Sequence, residues 1–261
     1  MIVKRKRKLA MISIISVFCF FLLWQMVVTF ELIPTRFIVS PWAIIQTIIE
    51  KWSNKKPEGG YLYEHIIESA KVVWLGFFTG AVIGIPLGLL MGWYPKFEHA
   101  FRPFFEVVRP IPALAWIPIV LLFLGIGVRA RTAIIFFGSF VGLVLNSYTG
   151  IKETKPVLVN VAKTCGASNF TIFWKVGIPS AMPMIFAGLK IAMGSSWGTV
   201  VAAEMLAASK GLGYLIQMGR MFGEVRFIMA GILVIGICGL FSSWLISLLE
   251  RVVLRWRPSI K

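Results

Sequence analysis

Six apolar runs, separated by polar or basic segments, suit only one solvent, a lipid bilayer. The first, residues 9–30, would be about 33 Å long as a helix, enough to cross the hydrocarbon core. It is too long for the apolar stretch of a signal peptide, and no A-x-A site follows, so an uncleaved first span is expected. Further spans are expected near residues 72–93, 132–148, 182–206 and 227–249. The third run, residues 113–127, would be only about 22 Å long and contains Pro118. It must either be extended by residues 94–112, where Pro110 and Pro112 delay a regular helix, or be broken inside the protein, where irregular backbone is tolerated. With 58% apolar and 15% charged residues, the chain is too apolar for a soluble domain. The expected fold is an all-α, polytopic membrane protein of about six transmembrane helices. Residues 1–60 would form an N-terminal helix and an extracytoplasmic interfacial segment, and residues 61–261 the core domain.

A net charge of +16 would suggest nucleic acid as the partner of a soluble chain. In a membrane protein it reflects the accumulation of Lys and Arg in cytoplasmic loops, and no nucleic acid partner is expected. With six spans both termini lie on one side. The basic tip (Lys4, Arg5, Lys6, Arg7, Lys8), Lys96, Arg102, Arg109, Lys152, Lys155, Lys163, Lys175 and the tail cations Arg251, Arg255, Arg257 and Lys261 share that side. The rule makes it the cytoplasmic face of the cell membrane. The opposite loops carry Arg129, Arg131, Lys210, Arg220 and Arg226, partly offset by Glu31, Glu50, Glu58, Glu64 and Glu224. These outer cations mildly favour an anionic solute, or an acidic protein face.

Several chemistries are excluded. All eleven acidic residues are Glu, so the Asp-rich sets that hold magnesium or calcium are missing. Cys19, Cys165 and Cys238 form no disulfide framework or zinc pattern, and no metal site is expected. No phosphate loop and no Walker B acid exist, so any ATP dependence must come from a partner. Gly194-Ser195-Ser196-Trp197-Gly198 fits the pattern of a serine nucleophile elbow, but that motif needs a strand-to-helix turn and this one lies within a span. His65 and His99 both lie near a membrane surface, too far off to serve as its base. No catalytic residue is assigned.

Other signals concern packing. Gly76, Gly80, Gly84, Gly88 and Gly92 recur every fourth residue, one ridge of a helix on which a second backbone can approach closely. Pro86 among them predicts a kink. Ser40-Pro41 and the apolar residues after it read as a capped, short interfacial helix. Polar groups within the spans are Ser139, Asn146, Ser195, Ser196, Thr199 and Glu204, with Lys190 near a span end. Each either lines a path for a polar solute or satisfies a neighbouring helix. Lys190 and Glu204 would be about 21 Å apart along a helix and cannot pair.

Residues 160–179, NVAKTCGASNFTIFWKVGIP, form the longest polar interruption of the second half. The stretch has an internal grammar: a short helical run, Gly166 as a break, a second amphipathic run, and Pro179 opening the next span. It resembles the signature loop of membrane subunits of ATP-binding-cassette (ABC) importers, E-A-A, three residues, Gly, nine residues, I-x-L-P. Here the loop stands as Asn160-Val161-Ala162, Gly166 and Val176-Gly177-Ile178-Pro179. Residues 109–118, 183–190 and 197–206 are similar to the same family, in its nitrate, sulfonate and taurine branch. The likeness extends over about residues 60–255.

The resemblance implies a type I importer permease, with residues 61–261 as the permease core. Two copies, expected as a homodimer, would form the pathway in lipid. Two cytoplasmic ABC ATPase subunits would bind below and use ATP and magnesium, and this chain would hold no cofactor. An extracytoplasmic solute-binding protein would deliver the solute. Residues 160–173, within a cytoplasmic loop 153–179, would form the coupling helix, with Asn160, Val161, Ala162, Gly166, Ala167, Phe170, Phe173 and Pro179 as its ATPase-coupling residues. Asn160 departs from the family's usual Glu, which removes a charge from that contact. The competing class is a stand-alone channel or ion-coupled carrier, which would favour paired acids or inverted repeats.

Overall fold

The computed structural model describes residues 2–34, 38–55 and 59–255. The side chains of residues 2–10, 13 and 14 lie outside that description. So do those of the basic tip, Glu58, Arg257 and Lys261 on which part of the orientation reading rests.

Among the described residues the secondary structure is helical throughout. The chain runs α1 (Ile2–Thr29), α2 (Pro41–Ser53), α3 (Leu62–Trp93), α4 (Pro95–Val108), a 3-10 turn (Ala113–Trp116), α5 (Ile117–Leu124) and α6 (Val128–Lys152). It continues with α7 (Pro156–Thr164), α8 (Asn169–Ile172), a π turn (Phe173–Gly177), α9 (Ile178–Ala207), α10 (Leu212–Met221) and α11 (Val225–Val253).

Among the described residues four segments are long and apolar enough to cross a bilayer unbroken: Leu62–Trp93, Val128–Lys152, Asn169–Ala207 and Val225–Val253. The third apolar run takes the broken alternative, because α4 and the segment Ala113–Leu124 meet at 86°. Proline explains the break. Pro110 and Pro112 offer no N–H to a continuing helix, whereas Pro118 is tolerated in the first turn of α5. Apolar residues Ile15–Thr29 of α1 are shorter than a span by themselves. Phe18, Phe20 and Leu23 project outward, and α1 packs on α2 beside the bundle.

The seam between α3 and α6 is the core of the molecule, and the five glycines lie in it. A Cβ on Gly76 would sit 2.6 Å from Cβ of Ile135, and one on Gly84 3.2 Å from Cβ of Leu143. Those on Gly80, Gly88 and Gly92 would overlap Ser139, the Val144 carbonyl and Ile151. Ile135, Ser139, Leu143 and Ile151 themselves follow a spacing of four or its multiple, so two i±4 ridges interdigitate. The opposite face of α6 meets α9, with Gly150 against Met184 and Gly188 against Asn146. α11 closes the other side of α9, where Trp197 Nε1 donates to Ser242 Oγ at 3.1 Å. α3 runs as one element through Pro86.

α2 begins as its sequence suggests. Ser40 Oγ accepts from the Ala43 N–H at 3.2 Å, and Pro41 fills the first helical position. Unlike a purely interfacial helix, it docks one face on α11. Ile44, Thr47 and Lys51 are buried, and Lys51 Nζ donates to the Gly60 carbonyl at 3.1 Å, while Trp42, Ile45, Ile49 and Trp52 face outward. Ser40→Ala should cost about 1 kcal/mol, read as faster amide exchange over the first turn of α2 with the spans unchanged.

Candidate functional site

The segment between α6 and α9 projects from one end of the bundle. Pro156 starts α7, and Gly166 at φ +77° turns the chain. A left-handed residue costs any side chain roughly 1–2 kcal/mol there, so glycine is the natural occupant. Ser168 then caps α8 by accepting from the Thr171 N–H at 3.2 Å. The π turn carries α8 into α9, and Pro179 sits in the first turn of α9.

Asn160, Val161, Gly166 and Phe170 are exposed, and Ala162, Ala167 and Pro179 are partly covered. Val157, Leu158 and Trp174 join Val161 and Phe170 in an apolar surface. Phe173 differs from the others: it is buried and acts as the root of the segment. Its ring lies 5.7 Å from that of Trp93 and 5.6 Å from that of Tyr94, at the end of α3. Trp93 Nε1 also donates to Asn169 Oδ1 at 3.2 Å, and a Cβ on Gly177 would come within 2.9 Å of Trp93. The segment is thus clamped to α3 as well as continuous with α9. Sequence reasoning missed Trp93 and its contact with Gly177, which joins residues far apart in the chain. Nearby, Glu98 accepts from Lys152 Nζ at 2.8 Å and from the Tyr148 hydroxyl, fastening α4 to the end of α6.

The six polar candidates separate by helical phase. Asn146 is partly exposed, with Nδ2 donating to the Gly142 carbonyl at 2.8 Å, and Ser195 is exposed, with Oγ donating to the Gly138 carbonyl at 2.8 Å. Both lie on a face formed by α6 and α9, where Cβ atoms on Gly142, Gly194 and Gly198 would meet nothing within 4 Å. The other four are buried within this chain. Ser139 lies in the glycine seam and donates to the Phe136 carbonyl at 3.1 Å. Ser196 and Thr199 bond back to the carbonyls of Ala192 and Ser195, each at 2.8 Å. Glu204 is fully buried and holds Ser69 and the Gly213 N–H. Successive helical residues are about 100° apart, so Ser195 and Ser196 cannot share a face. Ser195 lies mid-helix with its hydroxyl on a carbonyl, which removes the nucleophile-elbow geometry.

The cations expected on the outer side are less available than their number suggested. Arg131 Nη2 pairs with Glu68 at 2.9 Å, Lys210 with Glu64 at 3.1 Å, and Arg226 with Glu224 at 3.0 Å. Arg129 and Arg220 project to solvent. Lys190 does not simply reach for the surface; it pairs with Glu250 of α11.

A family profile described as "Binding-protein-dependent transport system inner membrane component" matches residues 84–256, which takes in the projecting segment and all three helices α6, α9 and α11. The chain belongs to that family. It is 30% identical over 238 residues to the taurine transport system permease protein TauC of Escherichia coli, covering 91% of this chain and 86% of that one. It is 32% identical over 248 residues to the nitrate import permease protein NrtB of Leptolyngbya laminosa, covering 92% and 88%. Among solved structures, an inward-facing form of the MetNI methionine ABC transporter matches with a TM-score of 0.63 at 21% identity, over 74% of this chain and 95% of that chain. The chain is therefore a multi-pass membrane permease subunit with the type I ABC importer permease fold. Its relatives include proteins named as taurine, aliphatic sulfonate and nitrate permeases.

Proposed function

We propose that this chain forms the translocation pathway of an ATP-driven importer for a small sulfonate- or nitrate-like anion. Two copies would face each other across the α6–α9 surface that carries Asn146 and Ser195, with both termini in the cytoplasm. An external binding protein would deliver the solute, and a separate ATPase dimer would consume ATP and magnesium. The preference for an anion leans on the relatives named nitrate, taurine and aliphatic sulfonate permeases, because Arg131, Lys210 and Arg226 are already paired within the chain.

The observation that carries the reading is the projecting α7–α8 segment, apolar outside and rooted by Phe173 inside. An exposed apolar patch marks a docking surface, and a rooted one can pass a push into the spans. Reconstituted with its ATPase and binding protein, the chain should import solute only with ATP. Gly166→Val with Ala167→Trp should lower binding-protein-stimulated hydrolysis about tenfold or more, for a loss of about 1.4 kcal/mol of coupling per decade. Unchanged turnover in that double variant would reject the coupling role. Uptake by the chain alone, driven by an ion gradient, would instead establish the carrier class.

A further inference from the structure

At the end of the bundle opposite the projecting segment, α10 starts in an unusual way. The first N–H groups of a helix have no acceptors within it and are commonly served by the residue just before it. In α10 three consecutive N–H groups are served by side chains from other helices. The N–H of Gly211 reaches His65 Nδ1 at 3.0 Å, that of Leu212 reaches Ser69 Oγ at 2.8 Å, and that of Gly213 reaches Glu204 Oε2 at 2.8 Å. Ser69 in turn donates its hydroxyl to the Glu204 carboxylate, also at 2.8 Å. His65, Ser69 and Glu204 are all fully buried. The two glycines are part of the device: a Cβ on Gly211 would overlap the Glu204 carboxylate, and one on Gly213 would come within 2.6 Å of the Val201 carbonyl.

The carboxylate also has a second suitor. Arg131, on α6, is 5% exposed and bonds Glu68 of α3 through Nη2 at 2.9 Å. Its Nη1 is buried, has no hydrogen-bond partner among the described residues, and stands 3.7 Å from Glu204 Oε1. A charge-assisted N–H···O bond would need about 2.8 Å, so the gap is roughly 1 Å. Burial makes an unmet guanidinium N–H costly, and closing the gap would relieve it. Arg131 and Glu204 sit on α6 and α9, the two helices that also carry the open polar face.

We infer that Glu204 is a positioning residue that holds the start of α10 against α3 and α9, and that a shift of α6 along α9 passes its carboxylate to Arg131 and frees α10. The first half concerns the resting chain alone, and the handover rests on the importer reading above. A glutamine could still accept from Ser69 and the Gly213 N–H through its one oxygen while its amide N–H groups face Arg131, so the latch is tested by removing both oxygens.

The test uses the full complex with its ATPase and binding protein in vesicles. Spin labels are placed at exposed positions 67 on α3 and 221 at the end of α10, on a background lacking Cys19, Cys165 and Cys238. In the otherwise unchanged chain the label distance should be narrow at rest and should change when nucleotide is trapped with vanadate. Glu204→Ala, which removes both acceptor oxygens, should show the changed distance already at rest, and its ratio of binding-protein-stimulated to basal hydrolysis should fall about fivefold or more. Arg131→Lys keeps a cation beside Glu68 but cannot fork to both acids, so it should rest like the unchanged chain and fail to switch. A resting distance in Glu204→Ala equal to that of the unchanged chain overturns the latch, and normal switching in Arg131→Lys overturns the handover. Should Glu204→Ala not assemble, Ser69→Ala removes only the hydroxyl that bridges Leu212 to the carboxylate. It must then loosen the resting distance, and a narrow one overturns the latch. Resting distances can be read on the solubilised chain without ATPase, so a complex that imports nothing would end the importer reading while the latch is still decided.

Discussion

Gly88→Leu should prevent the protein from accumulating as a monodisperse species, and Gly76→Leu should do nearly as much. A Cβ at position 88 would overlap the Val144 carbonyl and come within 2.8 Å of Cβ of Ser147. At position 76 the obstacles are Ile135 and the Thr132 carbonyl, at 2.6 and 2.9 Å. Carbonyl oxygens of a packed helix cannot rotate away, so α3 and α6 must separate. Overpacking costs about 1–3 kcal/mol where side chains can adjust, and more is expected where backbone must move. In lipid the loss is sharper, because α3 and α6 are held by close packing and not by the exclusion of water. Gly236→Leu is the matched control, since a Cβ there meets nothing within 4 Å. The measurement is membrane accumulation and the elution profile in detergent; Gly88→Leu behaving like Gly236→Leu would refute the seam as the organising contact.

Trp93→Ala should uncouple ATP hydrolysis from import. The substitution deletes the hydrogen bond to Asn169, the contact with the Phe173 ring and the wall against Gly177. Trp93 is half-buried, so the stability cost should fall near the lower end of the range for large aromatic truncations, about 3 kcal/mol. The functional cost should be greater than the loss of protein. Without the clamp, α7 and α8 can move while α3 does not, and the partner would hydrolyse ATP with little solute moved. Solute imported per ATP should fall about tenfold or more, a coupling loss of about 1.4 kcal/mol or greater. Trp93→Phe keeps a ring beside Phe173 and loses only the Asn169 bond, so it should fall between. A Trp93→Ala complex with an unchanged transport ratio would show that α9 alone carries the push.

Local patterns in the sequence were enough for the four long spans, the glycine ridge and the loop with Gly166 and Pro179. Each depends on spacings within a few residues, which a helix turns directly into a shared face. The rest depends on partners distant in the chain. Glu204 meets Ser69 from 135 residues away, and Arg131 meets Glu68 from 63. Nothing near any of these residues announces the meeting. The polar span residues show the same limit more finely. Ser195 and Ser196 are adjacent and chemically identical, yet one faces outward and the other is buried, because the phase of α9 is set by α6 and α11. The third apolar run left two alternatives open, and Pro110 and Pro112 account for the broken segment that the angle of 86° reveals. A count of charges also does not reveal which cations are paired within the chain, as Arg131 is with Glu68, Lys210 with Glu64 and Arg226 with Glu224.

The π turn at Phe173–Gly177 leaves no gap between α8 and α9, so Asn169–Ala207 is a single helical stretch of 39 residues. At 1.5 Å per residue that is a lever about 58 Å long. A tilt of one degree about its α8 end would carry the far end through about 1 Å, by simple geometry on that length. Glu204 lies three residues from the far end, and 1 Å is the order of the gap between it and a full bond to Arg131. A movement too small to notice at the root of the projecting segment is therefore large enough to change partners at the opposite end of the bundle.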